Sequence, residues 1–508
     1  MPDFGADMAA GYGFEAASIG LGRPFVDPAA PQTDVEVRVP VALLNRHGLI
    51  AGATGTGKTK TLQLLAEGVS AAGTPVFAAD MKGDLSGIGA PGEASEKVTA
   101  RAGELACDWR PAAAPVELFS LSGQGGVPLR ATVASFGPTL LSKVLTLNDT
   151  QESSLWLVFR FCDEKGLPLV ELEDLRAALA YLAGPGKKEL EGLGGLSKAT
   201  VGVLLRKITE LEASGADELF GEPELDVRDL LRTAPDGRGV VSVLELADVA
   251  DRPTLFSTFL MWVLAELHEA LPEVGDTDRP AIVFFLDEAH LLFEDATKGF
   301  LQAVEQTVRL IRSKGVGVFF ITQLANDLPD DVLAQLGNRV QHAVRAFTAR
   351  DAKALRSVVE TYPQTEHYEL TETLQSLGVG EAVVTVLDPR GVPTPVAATR
   401  LYPPASRMAP LTPEEVAAIV GASPLRGRYA ERVDRESAQE MLAARAAGDG
   451  QQVETVRRRA RTAPPPEERR RDDDSLAGQV GDLLRSDAAQ KVGKEVVRGL
   501  FGMLRKRL

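Results

Sequence analysis

A glycine-rich run early in the sequence has the residue types and the spacing of a phosphate-binding loop. Glycine occupies positions 52, 55 and 57, and Lys58 and Thr59 follow directly. Glycine permits positive φ and close approach, so the backbone N–H groups of such a loop can surround a pyrophosphate. We expect Lys58 to reach the β- and γ-phosphates of ATP and Thr59 to offer its hydroxyl to Mg²⁺. The predicted nucleotide-binding residues are Gly52, Ala53, Thr54, Gly55, Thr56, Gly57, Lys58, Thr59 and Lys60.

An apolar run that ends in two carboxylates supplies the second part of the predicted chemistry. Residues 281–286 are all apolar, and Asp287 and Glu288 come next. A phosphate loop alone neither holds the metal fully nor activates water. We therefore predict that Asp287 binds Mg²⁺ together with Thr59, and that Glu288 polarises the attacking water as a general base. The alternative interpretation is a strand that only ends in acidic surface.

Gln323 and two arginines are further candidates for catalysis. Gln323 follows the apolar run Val316 to Thr322, and the carboxyl ends of parallel strands face one ligand-binding crevice. We predict that Gln323 senses the γ-phosphate and orients water, unless it is a solvated turn residue. Arg339 is the first candidate for neutralising charge in the transition state and Arg312 the second, and such an arginine is often delivered by a neighbouring subunit. Either arginine could instead form a surface ion pair.

Seven short apolar runs have the composition of buried parallel strands, and amphipathic helical patterns lie between several of them. Leu62, Leu65, Ala66 and Val69 recur at i, i+3, i+4 and i+7, which puts one apolar stripe on a helix that begins at the phosphate loop. This alternation predicts an α/β fold with a doubly wound, mostly parallel central sheet. The predicted strands are His47 to Ala51, Pro75 to Asp80, Val240 to Leu246, Ala281 to Asp287, Val316 to Thr322, Val340 to Phe347 and Ala382 to Leu387.

The alternation is interrupted once and then decays toward the C-terminus. Residues 138–232 are rich in Leu, Ala, Glu and Lys at helical spacing, and prolines follow Tyr402. Residues 463–474 combine three prolines with blocks of Arg and Asp, a composition prone to disorder. We therefore predict an irregular N-terminal segment (1–34), a first part of the core (35–137), a helical insertion (138–235), a second part of the core (236–405), a partly disordered linker and low-complexity charged region (406–479) and a basic amphipathic C-terminal helix (480–508).

The composition predicts a cytoplasmic protein. The two cysteines, Cys107 and Cys162, are too few for a disulfide framework or a zinc site built from cysteines. Residues 1–17 contain no basic residue and no apolar run of the kind that a signal peptide needs. No stretch reaches the ~18 uncharged apolar residues of a membrane span.

The charge is unevenly distributed along the chain. Residues 1–425 hold 36 Lys and Arg against 57 Asp and Glu, whereas residues 426–508 hold 19 against 14. An acidic body disfavours indiscriminate binding to phosphate backbones, because affinity for nucleic acid comes largely from basic patches. If DNA binds, we expect it to meet a local basic surface such as a pore.

Five further segments resemble one bacterial family of ATPases. The combination is similar to the YjgR-type proteins, which are relatives of the HerA and FtsK ring ATPases and are often labelled HerA-like helicases. The similarity extends over nearly the whole chain. The segments that carry it are Asn45 to Ile50, Ala79 to Leu85, Leu147 to Glu152, Phe220 to Pro223 and Leu336 to His342.

The resemblance implies a RecA-like P-loop NTPase core of the additional-strand, catalytic-glutamate type. It also implies a ring, with a hexamer expected, that pumps duplex DNA through its pore. Asp80 and Lys82 resemble the Asp-x-Lys pair that follows the second strand in that family. The residues that match the HerA and FtsK pattern one by one are Lys58, Thr59, Asp287, Glu288 and Gln323.

Three functions are compatible with these features. The first is a DNA translocase or helicase-like motor that hydrolyses ATP. The second is an ATPase that remodels or regulates a protein or membrane-associated partner, because a basic amphipathic helix such as 480–508 can lie on anionic lipid or pack into a partner groove. The third is a nucleotide-binding structural protein without turnover, which the presence of both Lys58 and Glu288 disfavours.

Overall fold

The computed structural model describes residues 3–447, apart from residues 214, 276 and 294–297. The predicted C-terminal helix (480–508) and the low-complexity residues before it lie outside this range. The described residues form one twelve-stranded sheet. Its strands are β1 (Ser18–Pro24), β2 (Val37–Pro40), β3 (Gly48–Ala51), β4 (Val76–Asp80), β5 (Val116–Ser120), β6 (Val127–Pro128), β7 (Val241–Glu245), β8 (Ile282–Leu286), β9 (Val316–Thr322), β10 (Asn338–His342), β11 (Glu381–Thr385) and β12 (Ala397–Leu401).

The sheet is mixed but mostly parallel, as the apolar runs predict. The strand order is β2-β1-β12-β11-β10-β3-β9-β8-β4-β7-β5-β6. The seven neighbouring pairs from β10 to β6 are parallel, whereas the four pairs from β2 to β10 are antiparallel. The strand that precedes the phosphate loop, β3, therefore has a parallel neighbour on each side, β10 and β9.

Helices connect most of the parallel strands. They are α1 (Phe4–Tyr12), α2 (Lys58–Ala71), α3 (Glu96–Glu104), α4 (Val133–Val144), α5 (Asp149–Lys165), α6 (Leu172–Ala183), α7 (Lys198–Ala213), α8 (Pro253–Ala270), α9 (Lys298–Ile311), α10 (Asp330–Leu333), α11 (Ala349–Glu360), α12 (Leu370–Ser376), α13 (Pro413–Ala422) and α14 (Arg426–Tyr429). Residues 438–447 are also helical. Among the helices of the described ranges, none combines the length and the apolar character that crossing a membrane requires.

The central strands are apolar except for the last residues of β4 and β9, Asp80 and Thr322, because both faces of the sheet are covered. Every residue of β3, β4, β8 and β9 is buried. The stripe predicted on α2 packs into the same core, and each fully buried leucine there contributes ~1.5–3 kcal/mol. Burial of this face fixes α2 on the sheet and sets its N-terminus at the carboxyl end of β3. The stripe residues, each at most 2% exposed, are Leu62, Leu65, Ala66 and Val69.

The N-terminal segment is not irregular, which corrects the prediction for residues 1–34. It contains α1 and β1, and β1 pairs antiparallel with β12 and β2. The sequence of β1 has two glycines and little alternation, so these two ladders rather than local preference make it a strand. The Tyr12 hydroxyl at the end of α1 lies 2.7 Å from the Pro395 carbonyl oxygen and 3.0 Å from that of Val384, which ties the helix to the core.

β10 begins and ends earlier than the run Val340 to Phe347 predicts. It spans Asn338–His342, and the chain then leaves the sheet. Ala343 and Val344 pack in a second, smaller core with side chains of α11 and α12, whereas Phe347 is 88% exposed. The apolar run is longer than the strand because burial against helices requires the same residue types as burial in a sheet.

The chain divides into two compact units. The larger unit consists of Met1–Asn148 and Glu210–Asp434 and contains the sheet. The smaller unit consists of Asp149–Thr209 and the described residues from 435 onward. Within the smaller unit, the N–H groups of Ala438 and Gln439 donate to the Pro168 carbonyl and to Oδ1 of Asp174, each at 2.9 Å. The predicted boundaries of the helical insertion, 138–235, are wider than the part of the smaller unit at 149–209 and stay a prediction.

The first part of the predicted linker is folded. α13 packs against β5, and its side chains Val416, Ile419 and Val420 contact the main core. Pro413 opens α13, where proline is tolerated because the first N–H groups of a helix have no partner within the helix. One of the prolines that suggest a linker in the sequence, Pro413, therefore marks the start of a helix.

Candidate functional site

The predicted phosphate loop connects β3 to the first turn of α2. β3 ends at Ala51 and α2 begins at Lys58. The glycines at 52, 55 and 57 have φ of +150°, +78° and +113°, values that residues with a side chain rarely adopt. The first turn of a helix leaves N–H groups without partners inside the helix, so the end of this loop is suited to bind an anion.

The loop is fixed by the strands on both sides of β3. The N–H of Gly52 donates to the carbonyl of Gln323 after β9 at 3.2 Å, and the N–H of Ala53 donates to the carbonyl of Ala343 after β10 at 2.9 Å. A Cβ on Gly52 would lie 2.5 Å from the Cβ of His342. The start of the loop is therefore close-packed, and glycine is the residue that fits there.

The ammonium group of Lys58 lies against the start of the phosphate loop. Its Nζ donates to the carbonyl oxygens of Gly52 at 2.6 Å and Ala53 at 3.2 Å. Burial lowers the pKa of Lys58, and the positive charge of Lys82 lowers this pKa further. A buried cation of this kind favours a nearby anion. The loop thus contains an ammonium group that a phosphate chain would stabilise.

Parallel pairing brings the three predicted motifs to one edge of the sheet. β3 pairs with β9, and β9 pairs with β8, all in parallel. The phosphate loop follows β3, Gln323 follows β9, and Asp287 with Glu288 follows β8. All three positions are at the carboxyl ends of their strands. One additional strand, β9, separates the strand of the loop from the strand of the carboxylates.

Asp287 is buried directly after β8. Its side chain is 8% exposed, and Oδ1 accepts a hydrogen bond from the N–H of Glu288 at 2.9 Å. Burial raises the pKa of Asp287 to about 6, against the lowering effect of Lys82. A divalent cation at this carboxylate would favour its charged form.

Glu288 has a left-handed backbone and a charged partner. Its φ and ψ are +47° and +46°, a region that costs a non-glycine residue about 1–3 kcal/mol and that is common at functional sites. Its Oε1 lies 2.7 Å from Nζ of Lys82, and its Oε2 lies 3.5 Å from Nδ1 of His290. The second contact is too long for a hydrogen bond. Lys82 therefore holds the carboxylate on one side.

The turn after β4 positions Lys82. Asp80 ends β4, and its Oδ1 accepts from the N–H groups of Lys82 at 3.0 Å and Gly83 at 2.9 Å. Its Oδ2 accepts from the N–H of Leu85 at 2.7 Å. Burial raises the pKa of Asp80, and these three hydrogen bonds oppose that rise. Asp80 thus fixes the turn that carries the partner of Glu288.

Gln323 is exposed at the same edge, and its carbonyl contacts the loop. The carboxylate of Asp327 accepts from the Thr322 hydroxyl at 2.9 Å and from the Leu324 N–H at 3.0 Å. These bonds fix the backbone on both sides of Gln323. The structure thus places Gln323 beside the loop, and the role of its side chain toward water stays a prediction.

Arg339 and Arg312 lie at the opposite edge of the sheet. Arg339 stands near the amino end of β10, and its guanidinium donates to Oγ1 of Thr361 at 2.8 Å and to the carbonyl of Leu336 at 3.3 Å. Arg312 opens the 3-10 turn that precedes β9. Neither arginine is brought to the loop of its own chain. A role at the loop of a neighbouring subunit stays a prediction.

Thr59 and Asp287 suit a Mg²⁺ ion that arrives with a nucleotide. Within residues 3–447, leaving out the gaps at 214, 276 and 294–297, no group of three or more His, Cys, Asp and Glu side chains could hold a metal ion. Mg²⁺ in nucleotide sites keeps several waters and takes one or two protein oxygens together with phosphate oxygens. The Thr59 hydroxyl in the first turn of α2 and the carboxylate after β8 provide such oxygens.

A comparison with protein families matches almost the entire chain. The sequence model of the family described as helicase HerA-like C-terminal matches residues 27–507. The chain belongs to this family. The match includes the phosphate loop, Asp287 and Glu288, and it confirms the resemblance to the HerA and FtsK type of P-loop ATPase. No curated protein matches the HerA-like chain.

Solved structures show the fold of the HerA-like chain at low sequence identity. The plasmid coupling protein TrwB in complex with the ATP analogue ADPNP has 16% identity, with 81% of this chain and 96% of that chain covered and a TM-score of 0.50. TrwB with ADP and Mg²⁺ has 16% identity, 80% and 96% coverage and a TM-score of 0.47. VirB4 of Thermoanaerobacter pseudethanolicus has 15% identity, 76% and 97% coverage and a TM-score of 0.47. The first of these confirms the predicted RecA-like fold class.

His342 packs against the phosphate loop of the HerA-like chain, but the site residues predicted from the sequence do not include it. His342 is fully buried at the end of β10, and its Nε2 lies 2.8 Å from Oγ1 of Thr61. Burial and the charge of Lys58 lower the pKa of His342 to about 4. The neutral imidazole ring of His342 therefore stabilises the phosphate loop and the first turn of α2 by packing against them. The available signal was the segment Leu336 to His342, which carries family resemblance but no recognisable chemistry of its own.

Proposed function

We propose that the chain is an ATP-hydrolysing motor that acts on duplex DNA as a hexameric ring. The observation that carries the proposal is the position of Glu288 at the same sheet edge as the phosphate loop, with one strand between them. ATP hydrolysis, unlike ATP binding, needs a general base that accepts a proton from the attacking water. Membership in the HerA-like family supports the choice of a motor among ATPases.

Each of the residues at this edge of the sheet has its own role in hydrolysis. Lys58 leaves the loop carbonyls and binds the β- and γ-phosphates, and Gln323 orients the attacking water. Glu288 takes a proton from that water as the water oxygen bonds to the γ-phosphorus and the bond to the β-phosphate oxygen breaks. Mg²⁺, held by Thr59 and Asp287, supplies positive charge to the phosphate oxygens when it is bound.

Glu288 has one carboxylate oxygen that suits this role. Its Oε1 is paired with Lys82, whereas Oε2 is buried and accepts no hydrogen bond from any residue that the structure describes. A buried acceptor without a partner is unfavourable by roughly 1–3 kcal/mol. A water at this oxygen would satisfy it and would stand where a nucleophile is needed. We therefore assign the proton transfer to Oε2.

Duplex DNA is the proposed load, and ATP turnover tests it directly. We expect the ATPase rate of the purified chain to rise severalfold with duplex DNA at low salt, and to lose this stimulation as salt screens the phosphate contacts. The Glu288→Gln variant serves as the control for contaminating ATPases. An unchanged rate, together with no DNA retained by the protein at low salt, would contradict the motor proposal.

The molecular mass of the protein in solution tests the proposed hexameric ring. One chain has a mass of 54.1 kDa, so the proposal predicts a species six times as heavy in the presence of ADPNP and Mg²⁺. The family resemblance supports this oligomer, and an arginine delivered from a neighbouring subunit requires one. Analytical ultracentrifugation measures the mass directly. A monomer at every protein and nucleotide concentration would contradict the ring.

An ATPase that remodels a protein or membrane partner is the second candidate. The uneven charge favours it, because residues 426–508 are basic while residues 1–425 are strongly acidic. The basic helix predicted at 480–508 could then contact anionic lipid or a partner groove. Deletion of residues 480–508 should abolish binding to vesicles that contain phosphatidylserine. Unchanged vesicle binding and sedimentation after the deletion would remove the support for this function.

A further inference from the structure

A short basic segment follows β10 at the same edge of the sheet as the phosphate loop. Residues 345–356 contain four cations, at positions 345, 350, 353 and 356, and one carboxylate, Asp351. The segment contrasts with the rest of the body, because residues 1–425 hold 36 Lys and Arg against 57 Asp and Glu. Its composition is that of a local positive surface, which a polyanion would contact.

The exposed side of α11 carries part of this charge. Lys353 and Arg356 are three positions apart and both exposed, whereas Leu355 and Val358 are 2% and 4% exposed and pack in the second core. Arg345, in the chain before the helix, is exposed as well. Residues three apart lie on the same side of a helix, so Lys353 and Arg356 face solvent together, ~4.5 Å apart along its axis.

These three cations form no ion pair with a residue that the structure describes. The two arginines donate instead to backbone carbonyls, Arg345 to that of Gln375 and Arg356 to that of Ala352, each at 3.3 Å. A carbonyl does not neutralise the charge, which stays available to an anion. Several exposed arginines elsewhere do have carboxylate partners: Arg110 with Asp108, Arg160 with Glu164, Arg238 with Asp236 and Arg390 with Asp388.

Phe347 lies beside these cations with its ring in solvent. Its side chain is 88% exposed, the highest value among the large apolar side chains that the structure describes. Its backbone is nevertheless fixed, because the N–H groups of Phe347 and Thr348 donate to Oδ2 of Asp351 at 3.0 and 2.9 Å and cap α11. A fixed aromatic ring next to cations suits contact with the apolar faces of a nucleic acid.

Two hydrogen bonds connect this region to the ATPase machinery. The carbonyl of Ala343, two residues before Arg345, accepts from the N–H of Ala53 in the phosphate loop at 2.9 Å. Directly after α11, Oγ1 of Thr361 accepts from the guanidinium of Arg339 at 2.8 Å. A change of backbone position in the loop can therefore reach the basic segment, and a motor needs such a connection between nucleotide and load.

We propose that a basic face formed by Arg345, Phe347, Lys353 and Arg356 is the surface on which duplex DNA lies. The inference rests on the proposed function and gives its load a place on the chain. The three cations contact backbone phosphates, and the Phe347 ring packs on a deoxyribose. Such contacts position DNA and read no sequence. Charge complementarity selects DNA as the occupant, because a duplex repeats negative charge along its length as the cations repeat along the chain.

The double variant Lys353→Gln/Arg356→Gln tests the phosphate contacts. Fluorescence anisotropy measures the affinity of the full chain for a fluorescein-labelled duplex from ~50 to ~200 mM salt. We expect binding to be at least ~10-fold weaker at the lowest salt. The slope of log affinity against log salt concentration should become shallower by about 2, because each lost phosphate contact changes it by about 1.

The matched control removes two exposed arginines at the other end of the sheet. Arg426 opens α14, which contacts β6, and Arg228 lies in a turn that ion pairs join to α14. We expect Arg228→Gln/Arg426→Gln to keep the wild-type slope. Phe347→Ser tests the ring, and it should weaken binding severalfold with the slope unchanged, because no charge is lost.

Each outcome decides the assignment. Wild-type affinity and slope in Lys353→Gln/Arg356→Gln, while the wild type binds DNA, would overturn the basic face and leave the proposed motor intact. An equal loss of ADPNP affinity in that variant would also overturn it, because the change would then act through the fold. A wild-type chain that binds no duplex at the lowest salt would contradict the motor proposal and this surface together.

Two further measurements distinguish other occupants of the basic face. A lower assembly mass of Phe347→Ser in analytical ultracentrifugation with ADPNP and Mg²⁺ would assign the face to a contact between copies of the chain. Loss of binding to phosphatidylserine vesicles in Lys353→Gln/Arg356→Gln, with DNA binding retained, would assign it to lipid. Either result would overturn the DNA surface, and we expect neither.

Discussion

At the scale of single residues, Glu288 is held from two directions. Its N–H donates to the Asp287 side chain at 2.9 Å, and its Oε1 is 2.7 Å from Nζ of Lys82. These contacts maintain a left-handed backbone that a glutamate does not adopt by local preference. Strain of this kind persists where the surroundings fix it. We infer that this left-handed backbone directs the Glu288 carboxylate toward the side of the sheet where the phosphate loop lies.

Removal of Lys82 tests this positioning. We expect Lys82→Ala to lower kcat for ATP about tenfold or more and to change ADPNP affinity by a smaller factor, because the carboxylate loses the partner that orients it. Stability should change by less than ~1 kcal/mol, since the lysine of this pair is 43% exposed. A steady-state ATPase assay separates kcat from KM.

The control for this prediction is a similar ion pair away from the site. Lys165 lies 2.8 Å from Glu189 and is 44% exposed, so Lys165→Ala removes a comparable contact. We expect its kcat to stay at the wild-type value. Equal kcat values for Lys82→Ala and wild type would show that Lys82 does not position Glu288.

The positions of the main candidate residues at the carboxyl ends of β3 and β8 could be predicted from the sequence because each is adjacent to a local landmark. Lys58 and Thr59 end a glycine pattern, and Asp287 and Glu288 end an apolar strand. The role of Lys82 could not be predicted in the same way. Its contact with Glu288 depends on the distance between two turns that are far apart in sequence and become neighbours only when β4 pairs with β8.

At the scale of elements, the phosphate loop depends on glycine for different reasons at different positions. Gly52 has a φ of +150°, and a Cβ there would lie 2.5 Å from the Cβ of His342. Gly55 has a φ of +78°, but a Cβ there would meet nothing within 4 Å. The first position is constrained by both conformation and packing, and the second by conformation alone.

Alanine at these two glycines should therefore have unequal effects. We expect Gly52→Ala to lower the free energy of unfolding by ~2–5 kcal/mol, the sum of backbone strain and overpacking. Gly55→Ala should cost about 1–2 kcal/mol from the left-handed backbone. Urea unfolding of both variants measures the difference. A smaller loss for Gly52→Ala than for Gly55→Ala would contradict the described packing against β10.

The carboxyl ends of β4 and β7 bring several acidic side chains together. Glu245 ends β7 directly opposite Asp80 of β4, and its Oε1 is a buried acceptor with no hydrogen bond in the described part of the chain. Burial, with the charges of Asp80, Asp248 and Asp84, raises the pKa of Glu245 to about 8. The folded chain thus retains a proton that the unfolded chain, with a carboxyl pKa near ~4.3, releases.

The sign of the pH effect follows from this difference. Because the folded state binds the extra proton at Glu245, the contribution of this carboxyl to stability is lost as pH rises from about 4.3 to about 8. Glu245→Gln has no proton to lose. We expect its stability relative to wild type to be ~1–2 kcal/mol greater at pH 8.5 than at pH 6, as measured by urea unfolding. The control is Glu431→Gln at an exposed position, and an equal difference at both pH values for Glu245→Gln would contradict the raised pKa.

The bounds of a strand could be predicted where the apolar run in the sequence coincides with the residues that are buried inside the sheet. β9 spans Val316–Thr322 as predicted, because the whole run is buried inside the parallel sheet. β1 could not be predicted, since its glycine-containing sequence becomes a strand only through the ladders to β2 and β12. β10 is displaced because the residues after it are buried by α11 and α12 rather than by the sheet.

At the scale of the whole molecule, the ATP site is assembled from two distant parts of the chain. The phosphate loop lies before the predicted helical insertion, and the carboxylates that follow β8 lie after it. The sheet joins these parts because β9 pairs with both β3 and β8. The α/β class and the family could be predicted from motifs on both sides of the insertion. The ring and its load depend on contacts between molecules, which a single sequence does not determine.

The central claim is that Lys58 and Glu288 act in one site that hydrolyses ATP. The most direct test is the ATP turnover rate of Glu288→Gln relative to wild type, with ADPNP affinity measured on the same preparations. The account predicts a loss of at least ~100-fold in turnover, the lower range for a general base, with nucleotide affinity retained. Turnover by Glu288→Gln at the wild-type rate would contradict it.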